Sequence, residues 1–152
     1  MEYEQLENDI VARLTPGLPG VEVSALPDTL VEFNKSFKTG KITVAYKGSK
    51  FNKAQSTNAL SQQETVEFEL IVQARLLRGA TGVYTFLEQV KRLILGYKLT
   101  HTDRVYLQDQ ALIVSDAKAE TFTFSMGVAC VKLTVEETNL DEDDGGEYDD
   151  YS

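Results

Sequence analysis

The sequence predicts an α+β domain, a small antiparallel or mixed β-sheet with two helices packed on one face. Three observations predict it. Val66, Phe68, Leu70, Val72, Ala74 and Leu76 alternate at period two through Glu64–Leu77, as a long half-buried strand requires. Directly after it Val83, Leu87, Val90 and Ile94 recur at helical spacing. The chain has 152 residues, 42% of them apolar, which suits one domain that buries roughly 70% of its unfolded surface.

The elements follow in order. Leu6, Ile10 and Leu14, with Val11 beside them, mark one face of a helix over Glu2–Leu14, and Pro16, Gly17, Pro19 and Gly20 stop it. Val21–Val23 begins a short strand that Pro27 ends, and Ile42, Val44 and Tyr46 alternate in a second over Lys41–Lys47. Ser49–Gln63 is rich in Ser, Asn and Gln and reads as a mobile loop. After the long strand, Thr81 is the expected N-cap of a helix over Gly82–Leu95, and Gly96 stands where a helix C-terminus favours a left-handed residue. Arg104–Leu107 and Ala111–Val114 read as two strands, and Asp116–Ala119 as a hairpin turn. In Glu120–Val135 the apolar phase switches beside Gly127, between Val128 and Val131, which predicts a bulge or bend there.

Charge is unevenly placed. Nine acids lie from Glu136 onward with no base among them, and the body before them carries 15 acids and 15 bases. The organisation expected is a neutral domain over residues 1–135 and a disordered acidic tail over residues 136–152. Free nucleic acid is a poor partner for such a chain, because phosphate binding needs a basic excess. No run approaches the roughly 20 apolar residues of a membrane span. The acidic start lacks a signal peptide's basic patch, and the lone Cys130 fits a reducing compartment.

No catalytic, cofactor or metal motif emerges. His101 is the single histidine and has no G-x-S-x-G elbow to serve it. The turn Arg78-Gly79-Ala80-Thr81-Gly82 lacks the Lys-Ser/Thr of a phosphate loop and reads as a turn needing permissive backbone. Asn139, Asp141, Asp143 and Asp150 match ligand positions of an EF-hand loop, but its glycine position is Asp144 and no helices flank it. Cys130 reads as a core residue. The charge anomaly inside the domain is Lys35, Lys38, Lys41, Lys47, Lys50 and Lys53, with no acid between Phe33 and Gln63. Such a run is most often a solvated loop. As a docking segment it makes these lysines, with Arg75 and Arg78, the candidate partner-contacting residues.

Within Phe68–Gly96 a long strand leads through Arg78-Gly79-x-x-Gly82 into a helix opening Gly82-Val83-Tyr84 and continuing through Phe86-Leu87 and Val90 to Gly96. This unit resembles the tail-terminator family of Mu-like contractile phages, loosely over Glu2–Glu136 and not in the acidic tail. The resemblance implies an α+β virion protein without enzymatic activity or cofactors, assembled in the host cytoplasm. It implies a six-membered homo-oligomeric ring capping the head-proximal end of the tail tube, with the tube protein, sheath and neck as partners. The competing expectation is a regulatory protein whose acidic tail mimics DNA and blocks a nucleic-acid enzyme.

Overall fold

A computed structural model describes residues 2–29, 36–52, 60–116, 120–132 and 135–137. Helix α1 spans Glu2–Leu14, buries Leu6, Ile10 and Leu14, and runs into a 3-10 turn at Thr15–Gly17. Strands β1 (Val21–Ala25), β2 (Gly40–Phe51), β3 (Leu60–Gln62) and β4 (Glu64–Ala74) precede helix α2 (Val83–Ile94). Strands β5 (Tyr106–Asp116), β6 (Thr121–Val131) and β7 (Val135–Glu137) follow it. Five strands form one sheet in the order β1-β2-β4-β6-β5, while β3 and β7 form a two-stranded ladder. The sheet is mixed because β1 runs parallel to β2 and every other neighbour is antiparallel.

Both helices lie on the sheet face that the period-two pattern marks. Val66, Phe68, Leu70, Val72 and Ala74 of β4, with Ile42 and Val44 of β2 and Met126, Val128 and Cys130 of β6, meet Ile10, Leu14, Leu87, Val90 and Ile94 in one core. Burying each of the larger apolar side chains contributes about 1.5–3 kcal/mol. Cys130 is fully buried there, and burial pushes its thiol up to about 11, so it packs as a small apolar residue.

Pairing across the sheet corrects several sequence expectations. Ser49–Gln63 is not loop throughout: Ser49–Phe51 belongs to β2 and Leu60–Gln62 is β3, while residues 53–59 lie outside the described residues. The β2–β4 ladder continues past a bulge at Lys47 to Phe51↔Glu64, so ladder pairing overrides polar composition. The two strands expected at Arg104–Leu107 and Ala111–Val114 are one, β5, with register shifts at Gln108 and Ile113 that break its alternation.

The irregularity expected in β6 beside Gly127 is absent, because β6 pairs in unbroken register with β4 from Thr65↔Val131 to Ala74↔Phe122. It sits instead in β5 at Gln108, opposite Gly127, where a Cβ would run into the Asp109 carboxylate. The phase switch has another cause: β6 ends at Val131, and Val135 pairs in the other sheet.

Thr81 is not the N-cap of α2. Gly82 holds that position without a side-chain cap bond. The first-turn amides of Val83 and Tyr84 donate instead to the Leu76 and Leu77 carbonyls at 2.9 and 3.2 Å. Backbone carbonyls left free where β4 ends take over the work of a cap. At the far end Gly96 adopts φ +81, as the helix stop expects.

Candidate interaction surface

The sequence-predicted basic residues separate into two groups along β2 and β4. Lys47 and Lys50 stand at the end of β2 nearer β3, on or beside the bulge, and both are exposed. Lys50 Nζ lies 3.6 Å from Glu67 Oε2, and Gln108 Nε2 donates to the same oxygen at 2.9 Å. The Gln108 hydrogen bond, with the Lys50 and Lys47 charges, outweighs burial and holds the Glu67 carboxyl below its usual range. These lysines therefore surround a carboxylate of their own chain, and with Lys50 so exposed the pair contributes about 0–1 kcal/mol.

The second group lies at the other end of the ladder. Lys41 pairs opposite Gln73 and is 7% exposed. Arg75 donates through Nε and Nη2 to the Phe37 carbonyl at 3.2 and 2.7 Å, with its guanidinium 4.9 Å from the Phe37 ring centroid. Arg78 sits 5.7 Å from the Tyr84 ring centroid, and Lys38 is exposed just before β2. From Lys41 to Lys50 a strand covers roughly 30 Å at about 3.3 Å per residue. Among the described residues the basic side chains thus make no single patch, and Lys35 and Lys53 lie outside those residues.

Sequence reasoning missed a polar lock beside the helix-covered face. Glu64 occupies the apolar phase of β4, and its side chain is 10% exposed. Its Oε2 accepts from Tyr3 Oη at 2.6 Å and Ser49 Oγ at 2.5 Å, and its Oε1 accepts from Lys132 Nζ at 3.1 Å. Lys132 also donates to Glu2 at 2.7 Å, while Tyr3 stacks on Tyr46 with ring centroids 4.2 Å apart. Burial opposes ionisation of Glu64, yet the bonds from Ser49, Tyr3 and Lys132 outweigh it and keep the carboxyl below its usual range. The Tyr3 phenol is pushed up, first by its bond to Glu64 and then by burial. The lock fastens the start of α1 to β2, β4 and the segment after β6. Its sequence signal was a carboxylate in a buried phase, which asks for partners.

A second unpredicted feature is an open groove of about 230 Å³ between α2 and the edge strand β5, lined by Lys91, Leu107, Gln108, Asp109, Gln110 and Met126. Above it Tyr84 meets Phe124 edge-on at 6.1 Å, and Leu112 of β5 pairs beside Phe124 with 54% of its surface exposed.

His101 is exposed at φ 58 in the turn from Leu99 to Thr102, which the Thr102 hydroxyl closes by accepting from the Leu99 amide at 3.0 Å. Among the described residues no three His, Cys, Asp or Glu side chains converge to hold a metal ion. Asn139, Asp141, Asp143 and Asp150 lie outside them. No described helix is long and apolar enough to cross a membrane. The expected tail starts at Glu136; Glu136 and Glu137 pair with Ser61 and Leu60 in the β3–β7 ladder, and residues 138–152 lie outside the described residues.

No curated protein matches the chain. Among solved structures it is similar to a chain of the virion of native gene transfer agent (GTA) particle, at 14% identity and a TM-score of 0.47, covering 86% of this chain and 90% of that one. Residues 10–145 match the family described as Gp37 protein. That match spans β1 to β7 and the end of α1 from Ile10 to Leu14, and the chain belongs to the Gp37 protein family.

Proposed function

We propose that the chain is a virion structural protein, a phage tail terminator that closes into a six-membered ring on the head-proximal end of the tail tube. It stops growth of tube and sheath there and joins the neck. The observation that carries this reading is the β4–turn–α2 unit, whose Arg78, Gly79, Gly82, Tyr84 and Gly96 are the residues of the family resemblance. The β4–α2 unit lies at the centre of the fold, with β4 the middle strand of the sheet and α2 packed on it, which suits a part that shapes a subunit. Head-to-tail contacts that close give rings, whereas contacts that repeat without closing give filaments. A cap must therefore offer one face to the last tube ring and no equivalent face to the next.

The test is growth of tubes from the tail-tube protein of the same genome, with and without this chain. Shorter tubes, each with extra density at one end only, are expected in electron micrographs. Unchanged lengths and ends overturn the reading. One observation favours a second reading: the acids that crowd the last residues without a base. A regulatory DNA mimic would bind a nucleic-acid enzyme through that segment and leave tubes alone.

The domain boundary is part of the proposal. The acids after β7 have no base among them and repel one another, which favours a solvated segment. Deleting residues 140–152 is expected to leave the melting temperature within a few degrees. A cooperative loss of folding in the melt would move the boundary beyond them.

A further inference from the structure

We propose that the basic surface around Leu95, where α2 ends, seats the chain's own acidic C-terminal segment, residues 138–152. The contact needs neither ring nor tube and goes beyond the terminator reading. Leu95 is 57% exposed. Arg92 stands one turn before it, and Arg104 donates through Nη1 to the Gly96 carbonyl at 3.0 Å. Lys98 and Arg104 stand directly opposite each other in an antiparallel bridge, a placement that destabilises unless an anion offsets the like charges. All three bases are exposed. The carbonyl end of α2 favours cations, but Arg13 and Arg104 already donate to the Leu93 and Gly96 carbonyls there. Arg92 and Lys98 exceed that need.

The carboxylates nearby do not meet these charges. Asp103 Oδ1 accepts from the Arg104 amide at 2.8 Å. Asp9 accepts from the Thr100 amide at 2.9 Å and from Gln5 Nε2 at 2.8 Å. Glu88, one turn before Arg92, is exposed. Among the described residues Arg92, Lys98 and Arg104 form no ion pair, and the bases that do are Lys50 and Lys132.

Topology and elimination select the occupant. Helix α2 starts beside the end of β4, where the Val83 amide meets the Leu76 carbonyl, so its last turn returns toward the start of β4. There the Asp103 amide donates to the Val131 carbonyl at 2.7 Å and the Lys132 amide to the Glu64 carbonyl at 2.9 Å, while Thr102 bridges Lys132. Strand β7 begins three residues after Lys132 and pairs with β3, which ends two residues before β4. Residues 138–152 therefore set out from the end of the sheet that carries the basic surface, and fully extended they span at most about 50 Å. The other bases at that end are taken, Lys132 by Glu64 and Glu2, and Lys47 and Lys50 by Glu67. Lys91 shares the groove lining with Asp109, and Lys38 and Arg78 stand at the other end of the ladder. The segment has seven acids and no base, with Tyr148 and Tyr151 set among Glu147, Asp149 and Asp150. Its carboxylates answer Arg92 and Lys98. Its rings suit the exposed Leu95 and a guanidinium, as Tyr97 does for Arg13 at 4.4 Å. Exposed ion pairs are weak singly and screened by salt, so the contact is loose and adds little to the stability of the core.

A nitroxide attached to the full chain through Ser152→Cys tests the contact, because Cys130 is fully buried and stays unlabelled. At low salt the amide NMR signals of Arg92, Lys98 and Arg104 are expected to lose most of their intensity. They should regain it near 1 M salt, where screening leaves a range of about 3 Å. Arg92→Glu with Lys98→Glu is expected to abolish the loss at an unchanged melting temperature. Lys47→Glu with Lys50→Glu is expected to leave the loss in place. Full signals at low salt overturn the proposal, as does a loss indifferent to Arg92→Glu with Lys98→Glu. A loss that disappears with the Lys47 and Lys50 changes instead puts the segment at β2 and overturns the seat as well. Isotope-labelled wild type mixed with spin-labelled, isotope-free chain checks the own-chain assignment. Equal broadening in that mixture means that the segment reaches a second copy, which overturns the proposal as stated.

Discussion

Replacing Glu64 by alanine is expected to destabilise the chain by about 3 kcal/mol, the cost of removing one partner from a largely buried ion pair. The substitution strands the Lys132 ammonium, whose side chain is 11% exposed, and leaves the Tyr3 and Ser49 hydroxyls without their acceptor. Lys132 keeps Glu2, which holds the effect at the lower end of the range for broken buried pairs. In a domain of this size the melting temperature should fall by roughly 6–12 °C. The pH dependence identifies the cause. The folded-state carboxyl of Glu64 is depressed, so its contribution is complete above the ordinary carboxylate value of about 4.3 and is lost as pH falls through the folded value. For Lys132, burial works against the charge, but the bonds and charges of Glu2 and Glu64 outweigh it and raise the ammonium above its ordinary value. Its contribution is therefore complete below about pH 10.4 and is lost as pH rises through the folded value. Denaturant melts of wild type and Glu64→Ala should differ by a constant amount between about pH 5 and 10 and converge in acid. A difference that persists unchanged at pH 2–3 would assign the loss to packing around Tyr3 and Tyr46 rather than to the charge.

The same residues show why some of the molecule was legible in sequence and some was not. Strand β4 and helix α2 were readable because their faces are buried by single, regular periods, two and 3.6, that no neighbour interrupts. Strand β5 was not, since it lies at the edge of the sheet with much of its surface exposed, and two bulges reverse its alternation within one strand. Ser49–Phe51 looked like loop because the side chains that decide it, Glu64 and Tyr3, come from distant parts of the chain. The lysine run was legible as composition but not as place. Lys47 and Lys50 gather around Glu67, which lies across the ladder on β4 and far from them in sequence. The groove had no sequence signature at all, because it is defined by which strand the two helices fail to cover.

Gly82→Ala is expected to cost about 3 kcal/mol, whereas Gly79→Ala, three residues earlier in the same turn, is expected to cost about 1 kcal/mol. The two glycines are required for different reasons. Gly79 has φ +94 with nothing within 4 Å of where a Cβ would stand, so alanine there meets only the intrinsic penalty of left-handed backbone. Gly82 has φ −86 and ψ 160, which any residue adopts, but its Cβ would stand 2.5 Å from the carbonyl carbon and oxygen of Arg78. Backbone cannot swing aside as a flexible side chain can, so the turn itself has to open. Opening it pulls the Val83 and Tyr84 amides from the Leu76 and Leu77 carbonyls, and α2 has no side-chain cap to replace those bonds. The cost is therefore steric strain together with exposed or unsatisfied first-turn donors, at the upper end of what an added methyl does in a packed site. Denaturant midpoints of the two alanine variants measure the contrast directly. Hydrogen exchange at the Val83 and Tyr84 amides should quicken in Gly82→Ala and stay slow in Gly79→Ala. Equal destabilisation by the two variants, with both amides still protected, would mean that the close approach at Gly82 is not what holds the start of α2 against the end of β4.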